Sequence, residues 1–217
     1  MTDSVKRTIE NLNKNNMKTV FVNTKEDVLN LVKEIIPKNA SVGVGGSSTL
    51  KECGIISMLQ MGEYNFYDRY KDGFSQKEID DVMRKSFAAD YYLSSSNAIT
   101  ENGELYNVDG KGNRLAALNF GPEKVIIVAG KNKIVKDLKE ADIRVKTVAA
   151  PKNTVRLNRN TPCRESGKCI ALMTDNNNTF SDGCGCEDRV CRNYLILGKQ
   201  RNDNRITVII CGEDLGY

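Results

Sequence analysis

The chain has 217 residues, 32 basic against 28 acidic, a formal charge of +4 and no histidine. That length supports one sizeable core, and the missing histidines exclude mixed Cys/His zinc sites, histidine acid–base chemistry and Ser-His-Asp triads. No run of roughly eighteen apolar residues is present to span a membrane, and with 6% aromatics and lysines scattered among acids the basic, aromatic-laced stripe of a nucleic-acid binder is missing.

The opening stretch has no apolar core before a small-residue cleavage site, so no secretory signal is read and a cytoplasmic protein is expected. Val5, Ile9 and Leu12 recur at helical spacing, and KTVFV at residues 18–22 reads as a buried strand. Thr24 then caps a helix that places Val28, Leu31, Val32 and Ile35 on one face before Pro37 stops it. The strand ASVGVGG is followed by the helical STLKECGIISMLQMG. Tyr64 to Tyr67 reads as a short strand, and Ser75 with Glu78 forms a capping box that opens the next helix.

A turn-rich, alternating stretch, DYYLSSSNAITENGELYNVDGKGNRLAALNF, leads into KVIIVAG, an apolar run of the kind buried in a parallel sheet, and then into helical NKIVKDLKEA. RVKTVAAPKNTVRLNRN reads as strand, Pro-initiated turn and helix, and the short DNNNTF insert as a loop tip. NYLILGKQ and RITVIICGEDLG, separated by the turn signal RNDN, read as a closing β-hairpin. Alternating strands and helices predict an α/β fold with a mainly parallel sheet flanked by helices, as one domain over 1–217 carrying a cysteine-rich insertion at 161–192.

Three polar loops carry ligand-binding chemistry. In VGVGGSSTLKE the strand-to-helix turn presents the backbone amides of Gly45, Gly46 and Ser47, then Ser48, Thr49 and Lys51, to a phosphate or carboxylate; a plain turn capped by Ser47 is the competing reading. Ser95, Ser96 and Asn97 fall at the carboxyl end of a strand, where open α/β sheets bind ligands. Glu101, beside Asn102-Gly103, is a candidate catalytic carboxylate, unless Asn102-Gly103 makes a hairpin turn and Glu101 faces solvent. Arg114, Asn153 and Arg156 are candidates for holding an anion, against the alternative of surface ion pairs.

Five of seven cysteines fall in the last quarter: Cys163, Cys169, Cys184, Cys186 and Cys191. Thiolates at this density hold zinc or an iron–sulfur cluster, with a reversible disulfide switch and plain free thiols as competitors. Cys53 and Cys211 lie in apolar surroundings and read as core thiols.

Taken in order, GVGGSSTLKE, SSSNAITENGELYNVDGKGNRLAAL, KVIIVAGKNKIV, RVKTVAAPKNTVRL and the TPC...GKC...DRVCRN run resemble the LUD (lactate-utilisation) domain family, from about residue 5 to the end. The resemblance implies a fold like that of glucosamine-phosphate deaminase, ribose-phosphate isomerase and CoA transferase. It also implies anionic ligands at strand ends, and for some members a part in lactate oxidation beside iron–sulfur proteins. It makes Glu101 similar to the transferase nucleophile, and matches Cys163, Cys169, Cys184 and Cys191 to the family's four cysteines, with Cys186 as a substitute ligand. The expected ligand is therefore a small anionic metabolite, or a CoA-type or nucleotide phosphate. Expected partners are an iron–sulfur redox protein and a second copy of the chain, with no nucleic acid and no membrane. A non-catalytic accessory subunit and a thiol redox sensor are the rival functions.

Overall fold

The computed structural model describes residues 1–173 and 180–217; all but the last residue of the DNNNTF insert lies outside the described residues. The chain begins with helix α1 (Asp3–Lys14), capped by Thr2, then strand β1 (Lys18–Val22) and α2 (Lys25–Ile35). The Thr24 hydroxyl accepts from the Asp27 amide while the Asp27 carboxylate accepts from the Thr24 amide, a reciprocal cap that fixes where α2 starts. Strand β2 (Ser41–Val44) runs into α3 (Ser48–Glu52) and α4 (Ile55–Gln60), two helices broken at Gly54, whose φ of 69° ends the first.

Strand β3 (Asn65–Phe66), α5 (Gln76–Lys85), β4 (Tyr91–Ser94), β5 (Ala98–Thr100) and β6 (Leu105–Asp109) follow. After them come α6 (Asn113–Asn119), β7 (Lys124–Gly130), β8 (Ile134–Val135) and α7 (Leu138–Arg144). A π-helical turn at Val145–Ala149 joins α7 to α8 (Ala150–Arg156), so the strand expected at RVKTV is helical. Short α9 (Pro162–Ser166), β9 (Asn193–Leu197) and β10 (Ile206–Cys211) complete the chain.

Six strands form an all-parallel sheet in the order β1-β10-β7-β4-β2-β3, and a smaller mixed sheet has the order β8-β5-β6-β9. The α/β expectation holds, but the closing hairpin does not form. β9 pairs antiparallel with β6 in the small sheet, whereas β10 lies between β1 and β7 in the large one. The physical reason was visible in composition: Val208, Ile209, Ile210 and Cys211 are all fully buried. A strand apolar on both faces belongs in the middle of a parallel sheet, where helices cover each side.

On one face of the large sheet, Val28 and Val32 of α2 and Leu50, Ile55 and Leu59 of α3 and α4 pack on Val44, Leu93, Val128 and Ile209. On the other, Leu12 of α1 and Leu118 of α6 pack with Ile99 and Leu105 of the small sheet on Val125, Ile127 and Val208. Each such side chain, fully buried, contributes about 1.5–3 kcal/mol. Both faces are thereby sealed, and the open ground lies at the carboxyl ends of β2, β4 and β7.

Candidate functional site

Because β2 pairs with β4 and β4 with β7, all in parallel, the loops that leave their carboxyl ends emerge side by side. They surround a cavity of about 80 Å³ lined by Gly46, Ser47, Ser48 and Thr49 from the first loop, Ser95, Ser96 and Asn97 from the second, and Lys133 beyond the third strand. Val108, Asp109 and Arg114 wall it from the small sheet and α6, and Asn153, Arg156 and Tyr217 close the rim. The sequence-expected ligand residues from Gly46 through Thr49 and Ser95 through Asn97, with Arg114, Asn153 and Arg156, thus meet in one place.

Gly45 does not line the cavity, but its lack of a side chain shapes it. A Cβ there would stand 2.9 Å from Ser94 Oγ and 3.0 Å from Arg114 Cδ, closer than unstrained packing allows. Gly46 has no such neighbour; only the Arg156 and Arg69 guanidinium groups come within 4 Å of where its Cβ would be. The Ser47 hydroxyl accepts from the Leu50 amide, so the cap reading of Ser47 and its place on the cavity hold together.

Arg114 has a different job from the expected anion clamp. Its Nε donates to Asp109 at 2.9 Å, one terminal nitrogen to the Ser95 carbonyl and Asn107, and the other to Asn97, the Val108 carbonyl and Asp109. With its donors spent this way and only 8% of the residue exposed, Arg114 braces the strand-end loop against the small sheet and holds Asn97 in position.

Lys133 was missed by sequence reasoning, because a lysine in GKNKIV reads as ordinary solvated surface. Its one available signal was position, three residues past the end of a buried parallel strand. It is 3% exposed, and its Nζ donates to Thr49 Oγ1 at 3.0 Å and Ser95 Oγ at 2.8 Å. Burial, reinforced by the nearby Arg144 and Arg114 guanidinium groups, brings its pKa down to about 7. Arg144 is itself held by the carbonyls of Asn132 and Asn97. At the rim, Arg156 donates to the Tyr217 hydroxyl at 2.6 Å and to Asn153 Oδ1 at 2.7 Å, which explains why Asn153 and Arg156 share a helical face. Among the residues lining the cavity, Lys133, Arg114 and Arg156 are cationic and only Asp109, already paired, is anionic.

Three expected site residues lie elsewhere. Glu101 sits at the far end of β5 from Asn97, about 13 Å along an extended strand, and pairs with Arg7 at 2.7 Å. Hydrogen bonds from Ser4 and Arg7 hold its carboxyl below the usual range. Glu101, Asn102 and Gly103 form the tight turn between β5 and β6, with Gly103 at φ 81° and its backbone pressed against Asn11 of α1. Asn15 Nδ2 donates to the Asn102 and Gly103 carbonyls, so Asn102 serves this docking and not the cavity. Lys51 leans over the Tyr70 ring at 4.8 Å to its centroid, outside the cavity lining.

The cysteines converge in part. Cys163, Cys169, Cys184 and Cys191 line a second cavity of about 20 Å³ with Asp142, Lys146 and Tyr194, although they come from segments up to 28 residues apart. Arg189 ties this lobe together, donating to Cys191 Sγ at 3.4 Å, to the Cys184 carbonyl and to the Tyr194 hydroxyl. Cys186 does not line the cavity; its thiol is pushed up by a hydrogen bond with Cys184. Among the described residues no three cysteine, aspartate or glutamate side chains stand close enough to share a metal ion. Cys53 and Cys211 are buried in the core, as expected, and burial pushes both thiols up, Cys53 to about 12.

The parallel α/β sheet thus carries, among its strand-end loops, a small cavity lined by hydroxyls and by more cationic than anionic side chains. A family model described as the LUD domain matches residues 5–211, and the chain belongs to that family. Among solved structures it is similar to the crystal structure of a DUF162 family protein from Deinococcus radiodurans, at 14% identity and a TM-score of 0.48, covering 97% of each chain. No curated protein sequence matches. No helix among the described residues is long and apolar enough to cross a membrane.

Proposed function

We propose that the strand-end cavity binds a small anionic metabolite, a carboxylate or phosphate of a few heavy atoms, in the kind of organic-acid metabolism with which LUD domains are associated. The observation that carries this reading is Lys133: a buried amine at the cavity wall whose hydrogen bonds go to hydroxyls and not to a carboxylate. Burying a cationic group without a counter-charge costs several kcal/mol, and a ligand's negative charge supplies the missing partner. Arg156 at the rim adds donors beyond those it gives to Tyr217 and Asn153. Since one water-sized probe occupies about 10–15 Å³, a cavity of about 80 Å³ suits lactate, pyruvate or phosphate, and only the end of a nucleotide or CoA. Glu101 has no part in this proposal.

The test is a thermal-shift and ligand-observed NMR series with phosphate, lactate, pyruvate, sugar phosphates and CoA. A saturable rise in stability with at least one small anion, lost in Lys133→Met and in Arg156→Ser, is expected. A flat response across the series sinks the reading.

The thiol cavity supports a second one. We propose that Cys163, Cys169, Cys184 and Cys191 hold a soft metal, zinc or an iron–sulfur cluster, at a face that meets an iron–sulfur redox partner. What favours it is that four thiols from separate segments surround one cavity; what it requires is that their side chains rotate inward, because the arrangement described is not a closed ligand set. Metal analysis and an absorption spectrum of anaerobically purified protein decide the matter: bound metal lost in Cys163→Ser supports the site, and metal-free thiols that titrate fully with a thiol reagent remove it.

A further inference from the structure

We propose that Lys133 is a nucleophile that captures the carbonyl carbon of a small oxo acid as a Schiff base in the strand-end cavity. This rests on the anion-binding reading of the same cavity and names its substrate class.

The Thr49 hydroxyl donates to the Leu215 carbonyl and the Ser95 hydroxyl to the Ser96 carbonyl. Each hydroxyl has a single hydrogen, so towards Lys133 both act as acceptors, and Nζ donates to both. A neutral amine has two N–H bonds, and this pair of hydroxyls uses both. The remaining position on nitrogen is its lone pair, and Lys133 borders the open cavity. The groups that set its charge all act from fixed places: Arg114 and Arg144 disfavour the ammonium form, Glu52 and Cys53 act more weakly the other way, and burial outweighs them all. An amine pre-oriented by two acceptors and partly neutral near pH 7 is the arrangement that makes a lysine nucleophilic.

The step balances without an added oxidant or cofactor. The Nζ lone pair adds to the carbonyl carbon and the C=O π pair moves to oxygen, which takes the proton that nitrogen releases, giving a carbinolamine. Departure of that hydroxyl with one proton, as water, leaves a C=N bond to Lys133, and addition of water reverses the sequence. The acid's carboxylate has Arg156 available at the rim, where the guanidinium keeps donors beyond those spent on Tyr217 and Asn153. The imine so formed is an electron sink for reactions at the adjacent carbon.

Reductive trapping tests this on the full chain. The protein is incubated with pyruvate or glyoxylate and cyanoborohydride at pH 7, digested and mapped by mass spectrometry, while binding of the same acids is followed in parallel by thermal shift without reductant. The expected result is one carboxyalkyl adduct at Lys133, reaching near-full occupancy while other lysines stay at background. Phosphate, as a competing anion without a carbonyl, should slow the trapping at least tenfold. Because the adduct is located in the wild-type chain, the outcome does not depend on a variant that folds; Lys133→Met serves as the blank. Adducts spread over surface lysines, or none, overturn the proposal. Binding of the oxo acids without an adduct overturns it while leaving the anion-binding reading intact, and absence of both overturns the two together.

Discussion

Replacing Lys133 by methionine should make the ligand-free protein more stable at neutral pH, and the gain should vanish as pH rises. The amine is brought down from its ordinary value of 10.5 to about 7 in the fold. A group whose pKa is lowered by folding is protonated in the unfolded chain and neutral in the native one between those two values, so the stability of the wild type rises with pH through that window. At about 1.4 kcal/mol per pKa unit, the penalty at pH 7 is about 4 kcal/mol. Methionine has nearly the same length and no charge, but it forfeits the bonds to Thr49 and Ser95, about 1 kcal/mol each. The variant is therefore expected to be about 2 kcal/mol more stable at pH 7, equal to the wild type near about pH 9, and slightly less stable by about pH 10. Urea unfolding of both proteins at one-unit pH steps measures this. The Cys53 thiol, pushed up to about 12, does not titrate in the range, and groups distant from Lys133 cancel in the difference. A stability difference that stays flat with pH would mean that Lys133 keeps its proton in the fold and that its burial does not lower its pKa.

Three further outcomes follow from the geometry. Arg114→Ala should cost about 3–5 kcal/mol in chemical denaturation, because it strands the Asp109 carboxylate, Asn107 and two carbonyls in a buried setting; Arg114→Lys should recover little, having no fork to reach them all. Glu101→Gln should leave small-anion binding unchanged and shift stability by no more than about 1 kcal/mol, since its partner Arg7 is more than half exposed; lost binding in the thermal-shift series would return Glu101 to the site. Gly45→Ala should cost about 1–3 kcal/mol, from overpacking against Ser94 and Arg114, and weaken ligand binding as the cavity wall shifts; an unchanged melting curve would show that the wall gives way freely.

Much of the architecture was legible because its signals are local. The cap at Thr24, the capping box at Ser75, the apolar KVIIVAG strand and the glycine-hydroxyl loop each appear where pattern placed them. The two loops at Gly46–Thr49 and Ser95–Asn97 could be brought together in advance because parallel strands put their carboxyl ends on one edge. The closing hairpin was misplaced because a turn-rich linker between two apolar runs looks the same whether the runs pair or part; the unbroken burial of β10 was the better guide. Glu101 was misplaced because a carboxylate next to Asn-Gly fits both an exposed hairpin turn and an active-site loop, and the turn is what α1 docks onto. Lys133 escaped for the opposite reason: its meaning lies in what surrounds it, a burial and hydrogen bonds to hydroxyls instead of a carboxylate, which no local pattern records.

If the buried Lys133 amine awaits a ligand's negative charge, as proposed, the protein takes up a proton when the ligand binds. Weakly buffered protein held about one unit above the amine's pKa is titrated with a small anion that stabilises it, and the proton balance is read by pH-stat or by calorimetry in buffers of different ionisation heat. An anion beside Lys133 raises its pKa, so uptake of a substantial fraction of a proton per site is expected in the wild type and none in Lys133→Met. Tight binding with no proton uptake, or the same uptake in both proteins, would contradict the account.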